Sequence, residues 1–97
     1  MTKVRTNTKP FDIAAHLDDE ETIAAYVSAA LESGDAGSIA AALGDVARAR
    51  GMAKVASGTG LSREALYRTL SVNGNPELVT LLKVMASLGL QLAVVAK

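Results

Sequence analysis

The chain has 97 residues, 49% of them apolar, and its ten basic side chains balance ten acidic ones. This length allows one domain with a modest core, and the absence of cysteine excludes disulfides, thiolate catalysis and cysteine-based zinc sites. Only Phe11, Tyr26 and Tyr67 are aromatic, so the apolar share is mostly Ala, Leu and Val, a composition that predicts an all-α domain.

The apolar pattern indicates neither a secretion signal nor a membrane span. The first residues, MTKVRTNTKPFDIAAH, lack the apolar core of a signal peptide. The longest apolar stretch, LVTLLKVMASLGLQLAVV, is interrupted by Lys83, Ser87, Gly89 and Gln91, whereas a membrane span needs about 20 predominantly apolar residues. We therefore expect a cytoplasmic protein.

Charge is divided between the two parts of the chain. No Lys or Arg lies between Lys9 and Arg48, whereas eight carboxylates do: Asp12, Asp18, Asp19, Glu20, Glu21, Glu32, Asp35 and Asp45. From Asp45 onward basic residues predominate, namely Arg48, Arg50, Lys54, Arg63, Arg68, Lys83 and Lys97. Such asymmetry indicates two different partners, with chance segregation in a short chain as the alternative.

The N-terminal part predicts an arm followed by two capped helices. Residues 1–10 are polar and are expected to form a flexible arm ahead of a single helical domain, residues 11–97. Asp18 or Asp19 is the N-cap of a first helix that Gly34 ends. A second helix runs from the N-cap Asp35 to Gly51. The apolar positions at helical spacing are Ile23, Val27, Ala30 and Leu31, then Ile39, Leu43, Val46 and Ala47.

Three further elements are predicted after Gly51. A short helix over about 52–58 is followed by a turn at 59–61, and Ser62 is the N-cap of a helix that reaches about residue 70. Asn75 and Pro76 begin a last helix that ends at Gly89. Its expected core stripe is Leu78, Leu81, Leu82, Met85 and Leu88. The tail alternates at Leu90, Leu92 and Val94, which predicts one short strand.

Two short helices joined by a glycine-containing turn are typical of a helix-turn-helix, here at about residues 52–71. Ala56 is small where the two helices cross, and Gly60 permits a backbone conformation that a Cβ would oppose. The residues expected to face inward are Val55, Leu61, Leu66 and Leu70. The residues left facing outward are Ser62, Arg63, Glu64, Tyr67 and Arg68, as on a helix that lies in a major groove.

Residues 52–71 resemble the unit of the Xre/Cro, lambda-repressor-like DNA-binding domains. Over residues 9–92 the chain also resembles the HigA-like antitoxins, the "probable addiction module antidote protein" group. The segments that carry this resemblance are KPFDIAAHLDDEETIAAYVSAAL, IAAALGDVARARGM, TGLSREALYRTLS and GNPELVTLLKVMASLGLQL. The expected fold is thus a lambda-repressor-like helix-turn-helix bundle of about five helices with a short C-terminal β-strand.

The resemblance implies an antitoxin of a type II toxin–antitoxin module. Such a protein represses its own operon by binding operator DNA and neutralises a RelE/ParE-like toxin made from a neighbouring gene. Two alternatives stay open, a stand-alone Xre-type repressor without a toxin and a helical adaptor that binds only protein.

The second helix of the unit carries the candidates for DNA contacts. Ser62 is an N-cap that also faces the DNA backbone. Arg63 and Arg68 are candidates to hold guanine, and Glu64 to accept from cytosine, with solvated surface or helix-dipole roles as alternatives. Tyr67 reaches a phosphate or merely packs. Three residues beside the groove are candidates for phosphate contacts, namely Lys54, Asn73 and Asn75. The alternative for each is an ordinary solvent-exposed surface residue.

Two protein interfaces are expected. A toxin that is basic, as the resemblance implies, would dock on the acidic N-terminal third, with Phe11 as anchor beside Ile13 and Leu17. The alternative is that Phe11 and Leu17 close the protein's own core. A lone strand leaves its backbone unpaired, so the tail is expected to pair with its two-fold mate through Leu90, Leu92 and Val94, helped by apolar residues of the last helix.

Chemistry at a catalytic or metal site is not indicated. His16 is the only histidine and is expected at the surface or in an interface. The acidic run from Asp18 to Glu21 lacks the glycine and the ligand spacing of a calcium loop and is better explained as a helix start. Because no phosphate-cradling loop, nucleophile–base pair or cofactor motif occurs, we expect no enzyme, no metal and no cofactor.

Overall fold

Five α-helices make up the computed structural model over the residues it describes, 19–97. In chain order they are α1 Glu20–Ser33, α2 Ala36–Arg50, α3 Met52–Thr59, α4 Arg63–Thr69 and α5 Leu78–Ser87. The predicted all-α class is confirmed for this range. The expected arm and the expected turn around Phe11 and Leu17 lie outside the described residues.

Three of the predicted N-caps are present. Asp19, Asp35 and Ser62 each accept a hydrogen bond from the backbone N–H three residues further on, at 2.8, 2.8 and 3.0 Å. The backbone N–H of Thr22 lowers the pKa of the Asp19 carboxyl, since it stabilises the charged form. These bonds satisfy N–H groups that have no partner within the helix, so local sequence alone sets where α1, α2 and α4 begin.

The core lies where α1 and α2 pack together and α3 packs against α2, α4 and α5. Its buried residues are Ile23, Val27, Leu43, Val46, Ala47, Met52, Val55, Leu66, Leu70, Val84, Met85 and Leu88. Most inward positions predicted for α1, α2 and the α3–α4 pair belong to this core. Leu31, Ile39 and Leu61 are only partly buried against it, and Ala30 is not part of it.

Two glycines of α2 let the chain after α4 cross directly over that helix. A Cβ on Gly37 would lie 2.5 Å from the carbonyl oxygen of Val72, and a Cβ on Gly44 would overlap the carbonyl oxygen of Leu70. Only a residue without a side chain fits at such an approach. The backbone that leaves α4 is thus held against α2 at two points, seven residues apart along that helix.

The position of α5 differs from the prediction in two ways. The helix begins at Leu78, because Glu77 still has an extended backbone (φ −66°, ψ 156°), so Asn75 and Pro76 precede the helix. Leu78 and Leu82 of the expected core stripe are exposed, whereas Val84 is fully buried. Because α5 is apolar around most of its circumference, the spacing of its apolar residues in the sequence does not determine which side of the helix faces the core.

The C-terminal segment forms no strand in the described chain. The N–H of Leu90 donates to the carbonyl oxygen of Met85 at 2.8 Å, and beyond Leu90 no backbone hydrogen bond joins the tail to the rest of residues 19–97. A strand requires the backbone of a neighbour, and residues 19–97 supply none to the tail. None of the helices in residues 19–97 has the length and apolarity that crossing a bilayer requires.

A hydrogen bond that the sequence did not predict joins α1 to α2. The Tyr26 hydroxyl donates to the Asp45 carboxylate at 2.6 Å, and Arg48 pairs with the same carboxylate from within α2. Partial burial, followed by this hydrogen bond, raises the pKa of Tyr26 to about 12. The neutral phenol is therefore the form that stabilises the helix pair.

Replacing Tyr26 with Phe should lower the free energy of unfolding by about 1 kcal/mol at neutral pH, because it removes this hydrogen bond. The pKa of Tyr26 in the folded protein is raised from its ordinary value of 10.0, so the stabilisation is fully present below pH 10 and is lost as the pH rises to about 12. Urea unfolding from pH 8 to pH 11 measures the difference in the free energy of unfolding between the wild-type protein and Tyr26→Phe. This difference should become smaller above pH 10. Tyr67→Phe, at an exposed position, is the control. If the loss of stability in Tyr26→Phe does not depend on pH, the neutral Tyr26 hydroxyl is not its source.

Candidate nucleic-acid interface

The turn between α3 and α4 consists of Gly60, Leu61 and Ser62. Gly60 has a left-handed backbone (φ 78°) and ends α3 by donating its N–H to the carbonyl oxygen of Ala56 at 2.9 Å. Leu61 packs against the core, and Ser62 then caps α4. The turn therefore has the left-handed glycine that the sequence predicted, and its apolar residue anchors it between the two helices.

Thr59, a polar residue, is buried at the end of α3 with 7% exposure. Its hydroxyl donates to the carbonyl oxygen of Ala56 at 3.3 Å and accepts from the N–H of Leu61 at 3.3 Å. A buried hydroxyl is tolerated when its hydrogen bonds are made within the protein. Thr59 thus occupies an inward position of the turn and stabilises it.

All the residues predicted to contact DNA are exposed. They are Lys54 on α3, Ser62, Arg63, Glu64, Tyr67 and Arg68 at α4, and Asn73 and Asn75 in the connection after it. Arg63, Glu64 and Tyr67 together line a shallow open depression on α4. The structure therefore brings the α4 candidates onto one accessible surface, with Leu66 of the same helix fully buried behind it.

The cations on this surface are free of ion pairs within residues 19–97. The salt bridge found there joins Arg48 to Asp45, on α2, so neither Arg63 nor Arg68 is neutralised by a described carboxylate. An exposed, unpaired guanidinium retains all its donors for a phosphate or a guanine. This face of α4 therefore suits an anionic partner.

A groove that the sequence did not indicate runs between α1 and the C-terminal tail. Its volume is about 270 Å³. The apolar side chains that line it include Ala24, Val27, Leu31, Met85, Leu90, Leu92 and Val95, beside the polar Glu32 and Gln91. This groove brings together α1 and the tail, which are far apart in the chain, and a linear pattern does not encode such a contact.

The residues expected at protein interfaces occupy different environments. Leu90 packs against the core, Leu92 is 38% exposed and Val94 is 96% exposed. The three therefore do not share one free face in the single chain. The predicted toxin contacts Phe11, Ile13 and Leu17 lie outside the described residues. The helix that follows them, α1, has the exposed carboxylates Glu20, Glu21 and Glu32.

Comparison with known proteins identifies the class. The sequence model of the probable addiction module antidote protein family matches residues 7–96, and the chain belongs to this family. A Haemophilus influenzae protein described as uncharacterized is 48% identical over 86 residues, which cover 89% of this chain and 89% of the relative. No solved structure matches the chain. Because an antidote acts against a toxin, membership of the family implies a toxin partner.

Replacing Ser62 with Ala should lower the free energy of unfolding by about 1 kcal/mol, because the N–H of Ala65 loses its side-chain acceptor at the start of α4. Ser62→Asp should restore that stability, since a carboxylate caps equally well. Ser57→Ala, at an exposed position inside α3, is the matched control. Urea unfolding midpoints measure the effect. Equal midpoints for Ser62→Ala and the wild-type protein would show that the cap is not important.

Proposed function

We propose that the protein is the DNA-binding antitoxin of a type II toxin–antitoxin module, which represses its own operon and neutralises a RelE/ParE-like toxin. The observation that carries the DNA-binding part is the outward face of α4, where Arg63, Tyr67 and Arg68 are exposed beside a capped N-terminus. Membership of the antidote family supports the toxin-neutralising part. The protein acts by binding, in the cytoplasm, and catalyses no reaction.

In this proposal α3, the turn and α4 act as a helix-turn-helix, with α4 in the major groove. Arg63 and Arg68 lie on the exposed side of α4 and hold guanine through two hydrogen bonds each. Glu64 accepts from a cytosine amino group, and Tyr67 donates its hydroxyl to a phosphate. Ser62 and three flanking residues contact the DNA backbone, namely Lys54, Asn73 and Asn75.

A helix as short as α4, with seven residues, reads only a few base pairs. Two copies are therefore needed, bound to half-sites of a near-palindrome about one helical turn (~34 Å) apart. Few cations face the DNA from each copy, so the affinity falls with added salt less steeply than for a strongly basic protein. Hydrogen bonds from Arg63 and Arg68 to the bases then supply most of the discrimination between DNA sequences.

The toxin docks on the acidic side of the molecule in this proposal. The exposed carboxylates Glu20, Glu21 and Glu32 on α1 attract a basic toxin and speed its encounter. Phe11 supplies the apolar anchor beside Ile13 and Leu17. Because α4 carries the opposite charge on a different helix, one complex can hold toxin and operator DNA at the same time.

Arg63→Ala and Arg68→Ala should each weaken binding to the operator by about 1–3 kcal/mol, because each removes a bidentate contact with guanine. Fluorescence anisotropy with labelled DNA from the protein's own promoter, at one fixed salt concentration, measures the loss. Arg48→Ala is the matched control, since it removes an exposed arginine that is paired with Asp45 on α2. The assignment of α4 is wrong if both variants bind like the wild-type protein.

A Phe11→Ala, Leu17→Ala double variant should stay folded and bind its operator, yet fail to rescue cells from the toxin made by the adjacent gene. The expected loss follows from removal of the two apolar anchors. Arg68→Ala is the reciprocal control, expected to lose operator binding and keep toxin neutralisation. Wild-type affinity of the double variant for the co-purified toxin would exclude the N-terminal segment as its docking surface. Absence of any toxin gene beside this one would favour a stand-alone repressor.

A further inference from the structure

A tight turn over residues 71–74 follows α4 and is folded back against the end of that helix. The N–H of Gly74 donates to the carbonyl oxygen of Ser71 at 2.8 Å, which closes the turn. The Ser71 hydroxyl donates to the carbonyl oxygen of Arg68, in the last turn of α4, at 2.9 Å. A Cβ on Gly74 would overlap the carbonyl oxygen of Thr69. The turn therefore has a fixed position relative to α4.

An apolar side chain lies at the tip of this turn. Val72 is its second residue and is 65% exposed, beside the exposed Asn73. The residues that favour turns are Gly, Pro, Asn, Asp and Ser, each for a reason of backbone conformation or local hydrogen bonding, and valine has neither property. The carbonyl group of Val72 is held against Gly37 of α2. An anchored backbone thus presents an apolar side chain to solvent.

The position of the turn indicates what Val72 meets. In the proposed function α4 lies in the major groove, and the turn continues from the end of this helix, next to Arg68. The valine side chain has neither a hydrogen-bond donor nor an acceptor, so it recognises no phosphate and no polar base edge. The apolar group that a base pair presents in the major groove is the 5-methyl group of thymine. Thymine is therefore the base that suits this side chain.

We propose that Val72 contacts the methyl group of one thymine in each half-site of the operator. This inference rests on the proposed function and adds a second kind of base recognition to it. Arg63 and Arg68 recognise guanine through hydrogen bonds, whereas Val72 recognises thymine by removing apolar surface from water. Because the turn is fixed against α4 and α2, the thymine has a set position relative to the guanines, and cytosine, which lacks the methyl group, is disfavoured there.

Promoter DNA in which deoxyuridine replaces one thymine at a time tests the proposal, because deoxyuridine still pairs with adenine and lacks only the methyl group. Fluorescence anisotropy of the full chain at one fixed salt concentration measures the affinity. The wild-type protein should bind about fourfold more weakly when the contacted methyl group is removed. Val72→Ser should bind the thymine and deoxyuridine duplexes equally at that position. Val95→Ser, which changes an 85% exposed valine of the tail, is the matched control and should keep the wild-type difference.

The stability of Val72→Ser should match that of the wild-type protein in urea unfolding, because the side chain that it changes is largely exposed. A change in affinity therefore reports on the contact with DNA.

The outcomes separate this proposal from the proposed function. A wild-type protein that binds its promoter equally well with every deoxyuridine replacement overturns the role of Val72 and leaves operator binding intact. A Val72→Ser variant that binds more weakly but keeps the wild-type sensitivity to deoxyuridine also overturns it, since the valine then acts through the shape of the turn. A wild-type protein that binds no promoter DNA contradicts the proposed function itself, and the contact with thymine fails with it. Sensitivity at one thymine of each half-site that only Val72→Ser abolishes supports the proposal.

Discussion

The close approach of two carbonyl groups to the glycines of α2 is the constraint on which the rest of the structure depends. The oxygens of Leu70 and Val72 lie where the side chains of residues 44 and 37 would begin. A helix of seven residues has little stability of its own, so α4 takes its orientation from the elements that hold its ends. The cap at Ser62 fixes the first turn of α4. The contact with α2 fixes the segment that follows α4, and it does so through backbone atoms, which have no alternative rotamers.

The features that were predictable from sequence are those that depend on residues three or four positions apart. Asp19, Asp35 and Ser62 cap their helices because the acceptor and the N–H it satisfies are neighbours in the chain. The exposure of the α4 candidates was predictable for a similar reason, because burial of Leu66 and Leu70 determines the outward side of a short helix. The left-handed conformation of Gly60 was also predictable, because it depends on the residue type at that one position.

The features that could not be predicted depend on packing between distant segments. Nothing in the spacing of α5 distinguishes the buried Val84 from the exposed Leu82, since apolar residues surround the helix. The hydrogen bond from Tyr26 to Asp45 joins residues 19 positions apart on different helices, and the groove between α1 and the tail has the same origin. The exposure of the α4 candidates was therefore predictable from sequence, whereas the different environments of Leu90, Leu92 and Val94 were not.

The separation of carboxylates on α1 from guanidinium groups on α4 has a consequence for how the molecule behaves in bulk. With no net charge, the molecule has no long-range repulsion to keep its copies apart. What remains is an electric dipole, and dipolar molecules attract head to tail over distances that approach the Debye length, about 10 Å at 0.1 M salt and about 30 Å at 0.01 M. In dilute buffer the carboxylates of one molecule and the guanidinium groups of the next attract each other more strongly, which is a heterologous contact. We therefore expect such contacts between molecules to be favoured in dilute buffer and weakened at moderate ionic strength.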